Sequence, residues 1–286
     1  MQTARPPSPP SSSATDYLQR LPRHAQDAIL RLEAGKQTPL DRYWIDPARI
    51  MSDRGVRPDP WQRQVLEWTG PRILMLCSRQ VGKTEVTAAL ALRTALLEPP
   101  ALVLLLSPSE RQSGELANRV FGYYDAIGRP IPARKRTELQ LHLTNGSRII
   151  ALPENEKTIR GFAGATLLVI DEASRVSDDL YRTVRPMLAM SQGRLVALST
   201  PFGKRGWFFE EWSQGGDEWA RHRITATMCP RYTPEFLAEE RKSLGERWYQ
   251  QEYFCSFEDA IDSVFLGTDI AAAFSDSVQP LFGDVP

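Results

Sequence analysis

The apolar residues of this chain gather into short unbroken runs rather than long stripes. Ile73-Leu74-Met75-Leu76-Cys77, Ala101 to Leu106, Leu167-Leu168-Val169-Ile170 and Arg194 to Ser199 each hold about as many residues as one strand. Runs apolar on both sides are what a parallel strand covered on both faces requires. Helix-forming stretches separate them. Glu85 to Leu92 follows the first run, and Ser109 to Ile127 follows the second, opened by Ser109-Glu110 and closed near Gly128. Glu138 to Thr144 and Arg148 to Leu152 alternate around Asn145-Gly146, the dipeptide of a tight hairpin. A helix is expected from about Ser177 to Ala189. Strands alternating with helices in this way predict a doubly wound α/β core with a mostly parallel sheet.

The ends of the chain read differently. Residues 1–15, with the run Arg5-Pro6-Pro7-Ser8-Pro9-Pro10-Ser11-Ser12-Ser13, lack the apolar surface to offset ordering entropy and are expected to be a disordered tail. From Asp16 to about Gly35 the apolar positions have helical spacing. Residues 16–200 are thus taken as an N-terminal helix and the α/β core. Residues 201–258 hold an aromatic helix from Trp207 to Trp212, a short strand around His222 to Ala226, a helix from Pro234 to about Leu244 and the stretch Trp248 to Phe257, read together as a small C-terminal lid. Residues 259–286 lose periodicity and read as a linker or frayed end.

Composition narrows the picture modestly. The 286 residues carry 35 basic and 35 acidic side chains, so no global field advertises a polyanionic partner and any such contact must be local. The basic clusters Arg134-Lys135-Arg136 and Lys204-Arg205 fall on expected loops and could meet phosphates without base readout, or could simply be solvated. Cys77, Cys229 and Cys255 lack metal-site or disulfide-framework spacing, which suits a reducing cytoplasm. No run approaches the ~20 apolar residues of a membrane span, and no signal peptide is legible.

The chemistry sits at the ends of two apolar runs. The first empties into Cys77-Ser78-Arg79-Gln80-Val81-Gly82-Lys83-Thr84. A strand, a loop closing on Gly-Lys-Thr and a helix aim backbone N–H groups and the positive end of a helix dipole at an anion, as in a phosphate loop. Lys83 would reach the β- and γ-phosphates of ATP, and the Thr84 hydroxyl would take a place on Mg²⁺. Cys77 stands where the pattern places its first glycine. The second run ends in Asp171-Glu172, so Asp171 would hold Mg²⁺ through its coordinated water and Glu172 would act as general base. Alone, Asp-Glu after a strand could be a solvated turn; paired with Gly82-Lys83-Thr84 it completes a nucleotide-hydrolysing site of RecA-like P-loop NTPase type.

Further residues join this set: Trp61-Gln62, Ile159-Arg160-Gly161, Asp171-Glu172-Ala173, and Leu198-Ser199-Thr200-Pro201 before Gly206-Trp207-Phe208. From about Pro60 to Phe257 the chain resembles the ATPase domain of the large terminase subunit of tailed bacteriophages. The resemblance implies that the chain translocates double-stranded DNA into a viral procapsid, with the portal protein and small terminase subunit as partners. It also implies a homo-oligomeric ring when assembled, a monomer in isolation, and a place in the cytoplasm of the infected host. By the same resemblance the nucleotide contacts would come from Gln62 on the adenine, from Ser78, Arg79, Gln80, Val81, Gly82, Lys83 and Thr84 in the loop, and from Ser199-Thr200 as the coupling motif. Gln62 could instead be a surface amide, and Ser199-Thr200 could cap a turn.

A guanidinium that stabilises the transferring phosphoryl group can raise the rate ~10³–10⁵-fold. Arg79 could do so within its own subunit, whereas Arg160, beside flexible Gly161, could reach a neighbour's nucleotide. Full-length members carry a C-terminal nuclease domain, and the 29 residues after Phe257 are too few to build its two-metal sheet, so no nuclease activity is expected of this chain. Two other functions fit parts of the pattern. A helicase-like DNA-dependent ATPase would need a second RecA-like domain, and a nucleotide-controlled assembly module would not need the full set Lys83, Thr84, Asp171 and Glu172.

Overall fold

The computed structural model describes residues 38–154 and 161–258, together with residues 26, 29–31, 34, 35 and 159. The proposed N-terminal tail, most of the helix expected from Asp16, Arg160 and the segment from residue 259 lie outside the described residues. Eight strands form one sheet: β1 (Arg72–Cys77), β2 (Leu102–Ser107), β3 (Ala133–Arg136), β4 (Gln140–Leu143), β5 (Arg148–Pro153), β6 (Leu167–Asp171), β7 (Arg194–Ser199) and β8 (Trp219–Ile224). Their spatial order is β3-β4-β5-β2-β6-β7-β1-β8. The six strands from β5 to β8 run parallel. β3 and β4 add an antiparallel edge, with the β4–β5 hairpin closing through Gly146 at φ 89°.

The apolar runs are buried on both sides because alternate residues feed two cores. Ile73, Met75, Val103, Leu105, Val169, Val196 and Leu198 pack on one face, and Leu74, Leu76, Leu104, Leu106, Leu168, Ile170 and Ala197 on the other. Helices α1 (Arg42–Ile45), α2 (Arg49–Asp53), α3 (Pro60–Glu67), α4 (Lys83–Leu97) and α5 (Glu110–Ala126) contribute to the first core. α6 (Asp178–Val184) and α7 (Gly206–Ser213) contribute to the second. α4 is apolar nearly all round, with every residue from Val86 to Leu97 buried, as a central helix laid on a sheet must be.

Three elements differ from the sequence reading. Arg134-Lys135-Arg136 is not on a loop: with Ala133 it forms the edge strand β3, which is exposed at every position and so gives no period-two signal. The helix expected to reach Ala189 stops at Val184, and Arg185–Leu188 continue as a 3₁₀ turn around Pro186, which cannot donate to an α-helical ladder. Within the segment assigned to a lid, β8 joins the core sheet beside β1. α8 (Pro234–Phe254), broken at Gly245 by φ 76°, ψ 162°, carries its own small core of Leu237, Tyr249 and Tyr253 with Ala226.

Candidate active site

The central strands β6, β7 and β1 are neighbours, so their carboxyl ends deliver the two motifs and Ser199-Thr200 to one edge of the sheet. After Cys77 the chain turns through Gln80 at φ 50° and Gly82 at φ 96° before α4 begins at Lys83. Gly82 is required there: a Cβ on it would lie 2.7 Å from the Gln62 amide nitrogen.

The Lys83 ammonium is 3.1 Å from Glu172 Oε1. Burial works against its charge, yet Glu172 and Asp171 outweigh that cost and raise its pKa, so Lys83 stays protonated. Asp171 ends β6 and is buried; burial, aided by the neighbouring Glu172 charge and opposed by Lys83, pushes its carboxyl up to about 6. The Glu172 N–H donates to Asp171 Oδ1 at 3.0 Å, and Glu172 itself sits in the left-handed region at φ 49°, ψ 43°. A non-glycine residue held there stores strain of the kind that gathers at functional sites. Ser174 Oγ donates to the Thr200 carbonyl at 2.9 Å and lies 2.6 Å from Ser199 Oγ, so the one Ser199 proton has two acceptors to choose between, Ser174 Oγ and, at 3.4 Å, Glu172 Oε2. A hydroxyl chain thus joins the segments that follow β6 and β7.

Gln62 is buried rather than a surface amide. Its Oε1 accepts from the Asp59 N–H at 2.8 Å and its Nε2 donates to the Gly82 carbonyl at 3.1 Å, so it braces the phosphate loop. Arg79 is exposed and its side chain turns to Glu252 on α8, with which it forms a short ion pair. The Arg79 N–H donates to the Glu252 carbonyl at 3.1 Å, and the Tyr232 hydroxyl donates to the Arg79 carbonyl at 2.7 Å. Arg231 completes the brace, donating to Asp59 Oδ2 and to the Val81 carbonyl, each at 3.0 Å. Ser78 is buried, its N–H donating to the Ile224 carbonyl at 2.8 Å, and Gln80 is exposed. Cys77 is enclosed, and burial drives its thiol well above the ordinary range, so the residue in place of the first glycine is an inert apolar filler. Thr84 is half-buried in the first turn of α4.

Of the residues singled out in the sequence, the structure brings Lys83, Asp171, Glu172 and Ser199 together. Sequence reasoning missed Ser174, Asp59, Arg231, Tyr232 and Glu252. Asp59 before Pro60 carried a helix-capping signal, and Ser174 stood two residues past the acid pair. Nothing local marked Arg231 or Glu252, which are distant in sequence from the loop they touch. For a metal ion, no cluster of three or more His, Cys, Asp or Glu side chains occurs among the described residues. The donors present, the Asp171 carboxyl and the Thr84 hydroxyl, fit an ion whose other ligands come from a nucleotide's phosphates.

A largely parallel sheet flanked by helices, with a Gly-Lys-Thr loop and an acid pair at one edge, defines a P-loop NTPase fold. The family model described as terminase large subunit, T4likevirus-type, N-terminal, matches residues 74–272. The chain belongs to that family. It is 23% identical over 252 residues to the large terminase subunit of Thermus virus P23-45, covering 76% of this chain and 52% of the relative. A probable large terminase subunit of Enterobacteria phage P7 is 26% identical over 191 residues, covering 60% and 37%. The chain spans about half the length of the curated relatives from Thermus phages that it matches. Among solved structures, the large terminase ATPase domain of Thermus phage P74-26 superposes with a TM-score of 0.63 at 18% identity, over 73% of this chain and 97% of that one. The large terminase of another thermophilic bacteriophage, in complex with ADP, gives 0.56 at 11% identity, over 70% and 54%. At these identities the superpositions speak to fold.

Proposed function

We propose that this chain is an ATP-hydrolysing motor domain that drives double-stranded DNA into a viral procapsid. The observation that carries the reading is the Lys83–Glu172 pair at 3.1 Å, set beside Asp171 and tied to Ser199. It brings a mobile cation, a metal-binding carboxyl, a candidate base and a sensor hydroxyl to the ends of neighbouring strands. Lys83 has two anions to choose between. With a triphosphate in the loop it turns from Glu172 to the β- and γ-oxygens, leaving the Glu172 carboxylate free to accept a proton from the attacking water. Thr84 and Asp171 would hold Mg²⁺. That ion, when bound, neutralises charge on the phosphate oxygens and orients them. Ser199 loses or keeps its bond to Glu172 according to which partner Glu172 has, and Ser174 passes that state to the Thr200 carbonyl.

The identity of the polymer moved rests on the family. So do the portal protein and small terminase subunit as docking partners, the ring of copies and the host cytoplasm. We assign the trans-acting guanidinium to Arg160, between buried Ile159 and exposed Gly161, with Arg79 as the cis alternative that Glu252 now holds. ATP turnover measured with and without duplex DNA tests the proposal. The motor reading expects hydrolysis that DNA stimulates; hydrolysis indifferent to DNA would point to a nucleotide-controlled assembly module.

A further inference from the structure

The segments that leave β6 and β7 are locked to one another beyond the hydroxyl chain of the site. The Trp207 N–H donates to Asp178 Oδ1 at 2.8 Å, the Trp207 indole donates to the Val176 carbonyl at 3.1 Å, and its ring stacks on Tyr181 at 3.9 Å. This bridge displays two exposed arginines on one aromatic ring. The Arg175 guanidinium carbon lies 4.2 Å from the Phe202 centroid and that of Arg205 lies 5.1 Å from it. Among the hydrogen bonds and ion pairs of the described residues, neither guanidinium is engaged by a carboxylate, while Arg79, Arg182, Arg194 and Arg231 each have one. Two like charges gathered on a shared ring repel each other, an arrangement a bound anion would relieve. A guanidinium over a ring keeps N–H donors free for phosphate oxygens.

We propose that Arg175 and Arg205, held on Phe202, form a contact site for the phosphodiester backbone of duplex DNA. The proposal takes the identity of the polyanion from the motor reading. The site follows the acid-pair strand on one side and the coupling strand on the other. Ser174, adjacent to Arg175, bonds Ser199 and the Thr200 carbonyl, and Ser199 bonds Glu172. The Arg175 side of the site thus neighbours the Ser174–Ser199 hydroxyl pair, which lies within hydrogen-bond reach of Glu172. Phosphate contacts of this kind position a duplex without reading its sequence.

The test uses the 286-residue chain, a fluorescent duplex and a fluorescent ATP analogue, comparing wild type with Arg175→Gln/Arg205→Gln and Arg175→Lys/Arg205→Lys. Each phosphate contact adds about 0.9 to the slope of log affinity against log salt concentration. The Gln pair should lower that slope by about 1.8 and weaken duplex binding about tenfold or more at ~0.1 M salt. The Lys pair should keep most of the slope, and its thermal midpoint guards against a folding defect. Duplex affinity and slope unchanged in the Gln pair, or equal losses in the Lys pair, would overturn the proposal. So would a wild-type chain that binds no duplex at low salt. If duplex binding persists and the Gln pair instead removes the dependence of ATP turnover on protein concentration, the arginines serve a neighbouring copy's nucleotide and the DNA assignment is wrong. A wild-type chain that fails to bind the ATP analogue contradicts the motor reading separately.

Discussion

Gly82→Ala asks how firmly the phosphate loop is held. At φ 96° an L side chain is strained, and the new Cβ would sit 2.7 Å from Gln62 Nε2. Left-handed backbone costs an L residue roughly 1–2 kcal/mol. To make room Gln62 must retreat, giving up its bonds to the Gly82 carbonyl and the Asp59 N–H in a setting where it is 2% exposed. Stranding such a buried polar group costs about 1–3 kcal/mol. The two effects together come to roughly 2–5 kcal/mol, and at ~2–4 °C per kcal/mol for a chain of this size the thermal midpoint should fall by roughly 4–20 °C. ATP-analogue affinity should fall with it, because a shifted Gly82 displaces the backbone N–H groups of the loop that would face the phosphates. Thermal unfolding of Gly82→Ala, Gln62→Ala and the double variant separates the parts. With the amide already gone, Gly82→Ala should cost only its backbone share of about 1–2 kcal/mol. A Gly82→Ala midpoint within about 2 °C of wild type, or strict additivity of the two changes, would refute the reasoning.

Other outcomes follow from the same geometry. Asp171 is raised by burial to about 6, so the folded chain keeps a proton that the unfolded chain releases from about pH 4 upward. Its contribution to stability therefore declines from about pH 4 to pH 6, while Mg·ATP binding, which needs the carboxylate, should weaken as pH drops below about 6. Titrations of Asp171→Asn should lose that pH dependence; an unchanged profile would assign it to another group. Glu252→Gln should release Arg79, which is itself exposed, at a stability cost of about 1 kcal/mol or less and with tighter nucleotide binding, measured by melting and analogue titration. Arg160→Ala should bind ATP yet turn it over poorly, and mixing it with Lys83→Ala should restore some activity. No rescue, with a rate independent of protein concentration, would favour Arg79 acting within its own subunit.

The legible parts of this chain were those where burial and backbone demand fix residue type. Strands β1, β2, β6 and β7 are buried on both faces and so wrote themselves as apolar runs. The Asn145-Gly146 hairpin and the Ser109 cap, which accepts the Gln112 N–H, announced themselves by backbone chemistry. Leu244 was a sound place to stop a helix because Gly245 breaks it. β3 and β8 were harder. Ala-Arg-Lys-Arg is exposed throughout, and Trp-Ala-Arg-His-Arg-Ile buries only its ends, so neither carries the alternation of a half-buried strand. The site divided in the same way. Lys83, Asp171 and Glu172 lie in local motifs that can be read by their spacing, whereas much of the brace on the phosphate loop comes from α8 and the turn before it. Glu252 meets Arg79 across 173 positions and Arg231 meets Asp59 across 172, pairings that only tertiary packing creates.

The central claim, that Lys83 and Glu172 belong to one hydrolytic site, is tested most directly by Glu172→Gln. The amide keeps the shape of the carboxylate and its reach to Ser199 but cannot take a proton. Mg·ATP affinity should stay close to wild type while steady-state turnover falls by about 10²-fold or more. Turnover within about tenfold of wild type, with binding intact, would contradict the account.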